Sequence, residues 1–166
     1  MFKKFYPDFC FESIKSIDDD FFVTNGIKFA ILDIDNTLVS YTCKKADKTA
    51  CDFLKRLERE NIKYAFVSNN HKQRVQEFAE DFEAFYVNDS GKPFLFGIKT
   101  ARRRMGAKPE NTVLIGDQVF TDVYGGNRGG LLTVMVEPIE AKETPFFGLK
   151  RKLEKIVLKN YAGKND

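Results

Sequence analysis

Short apolar runs alternate along the chain with segments whose apolar residues recur at helical spacing. The runs have the length of buried strands and cover residues 27–32, 62–67, 84–87, 112–115 and 131–136. Between them, apolar positions three and four residues apart predict amphipathic helices at about 47–60, 71–81, 94–105 and 120–128. Strands that alternate with helices at such short spacing form a parallel sheet covered by helices on both faces. We therefore expect an α/β fold of three layers, with a Rossmann-like sheet whose five strands lie in the order 3-2-1-4-5.

Polar side chains follow three of these strands directly. Asp33 comes after the first strand, Ser68 after the second and Asp117 after the fourth. Each of them alone could simply cap the helix that follows. With the first strand in the centre and the other two beside it, however, all three side chains converge on the edge where parallel sheets bind ligands.

The segment after the first strand carries two carboxylates, Asp33 and Asp35. If the backbone turns there, one can attack phosphorus as a nucleophile while the other donates and accepts protons. Two close carboxylates repel each other, so a cation is expected between them. A Mg²⁺ ion with oxygen ligands and a substrate phosphate meets that need.

Five residues from the later segments extend this candidate site. Asp117 is the natural metal ligand, and Asp122 could orient a ligand or Lys92, although a solvated or capping acid is the alternative for Asp122. Lys92 follows the third strand and offers a positive charge to phosphate oxygens. Ser68 and the backbone amide of Asn69, at the start of a helix, form a ready anion site.

These segments resemble, in order, the four motifs of haloacid dehalogenase (HAD) phosphatases. The motifs are Asp33-Ile34-Asp35-Asn36-Thr37-Leu38, Val67-Ser68-Asn69-Asn70, Gly91-Lys92-Pro93 and Gly116-Asp117 with Thr121-Asp122. The resemblance spans residues 27–137. More narrowly, Asn36-Thr37-Leu38, Ser68-Asn69-Asn70 and Gly125-Gly126-Asn127-Arg128 resemble subgroup IIIA, the YqeG-like phosphatases.

The resemblance implies a role for each acid of the site. Asp33 would form an aspartyl-phosphate and also bind Mg²⁺. Asp35 would be the general acid and base, with its main-chain carbonyl on the metal. Asp117 would complete the metal shell, and Asp122 would support it.

The resemblance also implies how the phosphoryl group is held. Ser68 and Asn69 would bind it, while Lys92 would neutralise its charge and steady Asp33. The protein would then be a Mg²⁺-dependent phosphomonoester phosphatase.

HAD phosphatases usually carry a cap inserted after the first motif or between the second and third. Here the stretches 35–68 and 70–92 have room for little more than one helix and one strand each, so we expect a capless, open site. We expect a single domain over residues 1–166 with its core at 27–137. Residues 1–26 and a basic helix at about 145–160 would be extensions.

Three functions remain open on this basis. An open site suits a substrate presented by a surface, and the similarity to phosphatidylglycerophosphate phosphatases of the same subgroup implies a phospholipid precursor such as phosphatidylglycerophosphate. The first alternative is a phosphatase of a soluble phosphorylated metabolite or macromolecule. The second is a receiver-like phospho-aspartate switch that uses Asp89, although Lys92 follows the third strand and the receiver lysine follows the fifth.

The net charge of the chain and its distribution limit the partners that we expect. The 27 basic and 24 acidic side chains give a net charge of only +3, so no nucleic acid is expected. Residues 145–166 nevertheless hold six basic and two acidic side chains, on a segment with apolar residues at helical spacing. Such a helix either packs its apolar face on the core or contacts an anionic membrane. An oligomer could also form and supply a lid.

The cysteine content and the length of the apolar runs indicate where in the cell the protein lies. Three cysteines, Cys10, Cys43 and Cys51, are an odd number without metal-ligand spacing, so no disulfide framework is expected. No apolar run approaches the roughly 20 residues that span a bilayer. We therefore expect a cytoplasmic protein whose membrane contact, at the inner face, is peripheral.

Overall fold

The computed structural model describes residues 3–140 and 145–162, which build one sheet of six parallel strands. The strands are β1 (Phe9–Phe11), β2 (Phe29–Leu32), β3 (Lys63–Val67), β4 (Phe85–Val87), β5 (Thr112–Gly116) and β6 (Leu132–Val136). Their order across the sheet is β1-β6-β5-β2-β3-β4. The five predicted strands are β2 to β6, and the predicted order is confirmed, with β2 between β3 and β5.

The sixth strand, β1, was not predicted. It adds to the edge of the sheet beside β6, with Phe9 opposite Val134. Asp8 fixes this register, because its carboxylate accepts hydrogen bonds from the backbone N–H (2.8 Å) and the hydroxyl (3.0 Å) of Thr133. Three residues are too few to show a periodic pattern, so pairing rather than local sequence makes this segment a strand.

Six α-helices of the described ranges cover the two faces of the sheet. They are α1 (Asp19–Thr24), α2 (Lys48–Arg59), α3 (Lys72–Ala79), α4 (Leu95–Met105), α5 (Tyr124–Gly129) and α6 (Pro145–Ala162). Helices α1, α2 and α3 pack on the face that carries Ala30 and Leu32, whereas α4 packs on the opposite face with Ile31. The short helix α1 was not predicted. The helix predicted at 120–128 is instead a π-helical turn, Val119–Val123, that leads into α5.

The C-terminal helix α6 packs on the sheet through one side of its described side chains. Val157 and Leu158 are half-buried against the cluster of Val119, Val123 and Met135. The apolar residues of another side, in contrast, are 47–60% exposed: Leu149, Leu153 and Ile156. The predicted basic residues Lys150, Arg151 and Lys164 have side chains outside the described part of the chain. Among the described residues, no helix is long and apolar enough to cross a membrane.

The carboxyl edge of the sheet carries no inserted domain within residues 3–140. Between β2 and β3 the chain builds a turn region and α2, and between β3 and β4 it builds only α3. The edge that holds the predicted site residues is therefore uncapped, as the sequence predicts.

Candidate active site

A tight turn after β2 brings the first two acids to one edge. The backbone N–H of Asn36 donates to the carbonyl of Val39 at 2.7 Å, and Asn36 has a φ of 65°. Asparagine tolerates this left-handed conformation better than most residues do. The turn leaves Asp33 and Asp35 both nearly buried at the carboxyl end of β2.

Three buried carboxylates and one buried ammonium form the centre of the site. Oxygen atoms of Asp33, Asp117 and Asp122 all lie within 4.8 Å of one another. The Nζ of Lys92 lies 2.6 Å from Oδ1 of Asp33 and 2.7 Å from Oδ1 of Asp122. One lysine offsets only part of this negative charge, so the cluster fits a further cation.

The pKa values of Asp33 and Lys92 also indicate that the cluster fits a further cation. Burial raises the pKa of Asp33 to about 8; Lys92 opposes this shift, and the charges of Asp122 and Asp117 add to it. Burial alone would lower the pKa of Lys92, but the carboxylates of Asp122 and Asp33 outweigh it and raise that pKa. An ionised Asp33 at neutral pH therefore needs more positive charge than Lys92 supplies. Carboxylate oxygens are the ligands that a hard divalent cation prefers.

Asp122 approaches so closely because position 116 has no side chain. A Cβ on Gly116 would lie 2.3 Å from the Cγ of Asp122. The second carboxylate oxygen of Asp122 accepts from the backbone N–H of Gln118 at 3.1 Å. Asp122 thus holds both Lys92 and the start of the turn that follows Asp117.

The predicted phosphate-binding residues lie beside this cluster. Ser68 is 2% exposed, and its hydroxyl accepts from the backbone N–H of Asn70 at 3.0 Å. The side chain of Asn69 reaches across to the next motif: its Nδ2 donates to the carbonyl of Lys92 at 2.9 Å, and its Oδ1 accepts from the Lys92 N–H at 2.7 Å. The amide group of Asn69 therefore holds the segment that carries Lys92.

Three residues of the site were not singled out from the sequence. The hydroxyl of Thr37 donates to Oδ2 of Asp33 at 3.2 Å, and its place in the first motif was the available signal. Asn70 and Arg74 both bond to the carboxylate of Asp35. No pattern marks Arg74, which lies on α3 one turn before the buried Phe78.

Asp89, the residue that a receiver-like switch would use, lies away from this site. Asp89 is exposed, and its carboxylate accepts from the side chain of Asn88 at 2.6 Å. It is not part of the buried cluster of Asp33, Asp117 and Asp122.

Comparison with known proteins decides between a phosphatase and a receiver-like switch. A probable phosphatase, YqeG of Bacillus subtilis, is 33% identical over 159 residues, which cover 95% of this chain and 92% of the relative. The chain belongs to the YqeG-like phosphatases of the HAD superfamily. A HAD-hydrolase-like family model matches residues 90–139. This YqeG-like chain is therefore a phosphoric monoester hydrolase, and the receiver-like alternative is wrong.

Two further similarities are more limited. Phosphatidylglycerophosphate phosphatase 1 of Arabidopsis thaliana is 38% identical over 63 residues, 37% of this chain and 18% of that protein. The crystal structure of a 4-nitrophenylphosphatase from Thermotoga maritima has a TM-score of 0.59 at 13% identity, and covers 73% of this chain and 90% of its own. The second likeness shows that the fold of this YqeG-like chain is that of HAD phosphatases.

Proposed function

We propose that the protein is a Mg²⁺-dependent phosphatase that works through an aspartyl-phosphate on Asp33 and acts on a phospholipid precursor such as phosphatidylglycerophosphate. The observation that carries the mechanism is the placement of Lys92 between Asp33 and Asp122, at 2.6 and 2.7 Å, with a separate carboxylate at Asp35. The cluster supplies a nucleophile with its charge balance, and Asp35 supplies a second acid with different partners.

The first step forms the covalent intermediate. A carboxylate oxygen of Asp33 attacks phosphorus, and the bond from phosphorus to the ester oxygen breaks with its electron pair on that oxygen. Asp35 donates a proton to it, so the product leaves as an alcohol. The ammonium of Lys92 and the donors at Ser68 and Asn69 hold the phosphoryl oxygens.

The second step regenerates the enzyme. Asp35, now ionised, removes a proton from water, whose oxygen attacks phosphorus. The bond from phosphorus to Asp33 breaks and returns its electron pair to the carboxylate. A Mg²⁺ ion held by the carboxylates of Asp33 and Asp117 and the main-chain carbonyl of Asp35 would neutralise buried negative charge and polarise the phosphoryl group.

Exposed apolar side chains around the uncapped edge support a lipid substrate. Phe94 and Phe96 follow the Lys92 segment and are 69% and 78% exposed. Ile139 is 50% exposed, and its backbone N–H donates to the carbonyl of Asn36, the residue that follows Asp35. Aromatic and aliphatic side chains at the rim of a site favour an interfacial substrate over a small free metabolite.

Helix α6 supports the same substrate. Its exposed lysines lie near the exposed apolar residues Leu153 and Ile156: Lys152, Lys155 and Lys159. Cations on such a face contribute about 1 kcal/mol each to binding at an anionic membrane. The proposal places the protein in the cytoplasm, in peripheral contact with the inner face of the membrane. The similarity to the Arabidopsis enzyme over 63 residues agrees with this substrate.

The mechanism is tested with 4-nitrophenyl phosphate. Activity should vanish on chelation with EDTA and return with Mg²⁺. Asp33→Asn should abolish turnover while the circular dichroism spectrum and cooperative unfolding persist. Turnover by Asp33→Asn comparable to that of the unsubstituted protein would overturn the mechanism.

The substrate is tested by phosphate release from phosphatidylglycerophosphate in anionic vesicles, against a panel of soluble sugar and nucleotide phosphates. A triple Lys→Gln variant at 152, 155 and 159 should bind these vesicles about 10- to 100-fold more weakly and keep its rate on 4-nitrophenyl phosphate. The matched control replaces Lys28, Lys63 and Lys108, which are exposed at the opposite end of the sheet. A clear preference for one soluble phosphate would overturn the lipid substrate and leave the mechanism standing.

A further inference from the structure

The guanidinium of Arg74 joins Asp35 to the loop that follows the first motif. Its Nε lies 3.1 Å and its Nη2 2.9 Å from Oδ1 of Asp35. Its Nη1 donates to the carbonyl of Lys44 at 2.9 Å, and Nη2 donates to the carbonyl of Cys43 at 2.8 Å. The side chains of Arg74 and Asp35 are each only 10% exposed, so this contact is largely shielded from water.

The two oxygens of Asp35 have different partners. Oδ1 accepts the Nε–H of Arg74 at 3.1 Å and lies 2.9 Å from its Nη2, whereas Oδ2 accepts from Nδ2 of Asn70 at 3.0 Å. An ionised carboxylate has about four acceptor positions, two on each oxygen. The guanidinium of Arg74 covers Oδ1, and Oδ2, which accepts from Asn70, keeps a position for a proton.

The position of Arg74 is itself fixed by the core. It lies on α3 next to Val75 and one turn before Phe78, both fully buried. Its guanidinium carbon lies 5.8 Å from the centre of the Phe78 ring. The guanidinium is also held by the carbonyls of Lys44 and Cys43, so it fixes the place of Oδ1 more closely than the mobile ammonium of a lysine would.

We propose that Arg74 is a positioning residue for proton transfer: it orients Asp35 so that Oδ2 faces the ester oxygen of the substrate. The inference rests on the proposed mechanism, in which Asp35 is the general acid. In the first step, the proton on Oδ2 passes to the leaving oxygen as the bond from that oxygen to phosphorus breaks. In the second step, Oδ2 takes a proton from the attacking water.

The dependence of rate on the leaving group tests this role. A 4-nitrophenolate leaves without a proton, whereas an alkoxide needs one, so only the second class depends on a well-placed Asp35. The measurement is kcat/KM for 4-nitrophenyl phosphate, phenyl phosphate and glycerol 3-phosphate, because kcat/KM reports the first phosphoryl transfer rather than hydrolysis of the intermediate.

Arg74→Ala should lower kcat/KM about 100-fold for glycerol 3-phosphate, since a general acid contributes about 10²- to 10⁴-fold. The loss for 4-nitrophenyl phosphate should stay below about five-fold. Arg74→Lys, which keeps the charge and loses the planar guanidinium, should lower kcat/KM for glycerol 3-phosphate by less than Arg74→Ala does. It also serves as the test variant if Arg74→Ala does not fold. Added guanidinium at millimolar concentration should restore part of the glycerol 3-phosphate activity of Arg74→Ala, but none in a background of Asp35→Asn.

The control is Arg103→Ala, at an exposed arginine of α4, which should leave all three substrates unchanged. An equal loss on all three substrates, without guanidinium rescue, would mean a purely structural role and would overturn the inference. A loss on glycerol 3-phosphate that lies entirely in KM, with kcat unchanged, would make Arg74 a substrate anchor and also overturn it. Failure of the mechanism itself would show differently, as unchanged turnover in Asp33→Asn.

Discussion

The ammonium of Lys92 lies 2.7 Å from Oδ1 of Asp122, and both side chains are almost fully buried. Lys92 belongs to the segment after β4, and Asp122 to the π-helical turn after β5, so the contact crosses two strands of the sheet. The same ammonium contacts Asp33. Asp122 therefore shares in holding the cation that faces the proposed nucleophile.

Asp122→Asn should lower kcat on 4-nitrophenyl phosphate about 10- to 100-fold, the usual cost of losing a partner that orients a catalytic group. The substitution keeps the shape of the side chain but removes one of two charges that fix Lys92. Steady-state kinetics at saturating Mg²⁺ measures the effect. Asp20→Asn, at an exposed acid of α1, is the control. A loss below two-fold would show that Asp33 alone suffices to place Lys92.

The stability of the metal-free protein should fall as pH rises from about 4 to 8. The folded-state pKa of Asp33, about 8, lies above its ordinary value of 3.8, so in that interval the folded state binds more protons than the unfolded state. Above the folded-state pKa the stability that comes from the protonated Asp33 is completely lost, and below the unfolded-state pKa none of it is lost. Asp33→Asn removes this titrating carboxyl group, and with it the pH dependence of stability that the group causes.

Thermal unfolding in EDTA checks this at pH 4.5 and pH 8. One pKa unit corresponds to about 1.4 kcal/mol, or about 3–6 °C in Tm for a protein of this size. Asp33→Asn should therefore raise Tm at pH 8 by at least that amount and have a smaller effect at pH 4.5. A Tm at pH 8 equal to or below that of the unsubstituted protein would contradict the prediction.

The alternation of strands and helices was sufficient to predict the strand order and the edge at which Asp33, Ser68 and Asp117 meet. The sequence could not predict β1, because its three residues become a strand only through pairing with β6. It could not predict Arg74 as a partner of Asp35 either. That contact depends on how α3 packs through Phe78, and no local pattern encodes such a long-range relationship.

Gly116→Ala should destabilise the protein and impair the site together. Its Cβ would lie 2.3 Å from Cγ of Asp122, so the carboxylate that holds Lys92 must move. Overpacking of this kind costs about 1–3 kcal/mol. Urea unfolding gives the loss of stability, and 4-nitrophenyl phosphate turnover gives the loss of function.

Gly148→Ala is the matched control for that change. Position 148 lies in α6, where an added Cβ would meet nothing within 4 Å, so alanine should raise stability by about 0.5–1 kcal/mol. Full activity in Gly116→Ala would show that Asp122 shifts without consequence for Lys92.

Glu154 ties α6 to the loop that begins at Asp117. The side chain is 2% exposed, and its Oε1 accepts from the backbone N–H of Val119 at 3.1 Å. Glu154→Ala leaves this buried N–H without its acceptor, which costs about 1–3 kcal/mol, whereas Glu154→Gln keeps an acceptor and should cost less. Glu110→Ala, at an exposed acid, should have no effect.

Hydrogen exchange followed by mass spectrometry locates the change. Exchange should accelerate in Glu154→Ala at peptides that contain Val119 and along α6, while β2 and β3 stay protected. Because Val119 lies two residues after Asp117, the apparent affinity for Mg²⁺ should also fall. Accelerated exchange confined to α6, with the Val119 peptide unchanged, would show that the helix does not support the metal-binding loop.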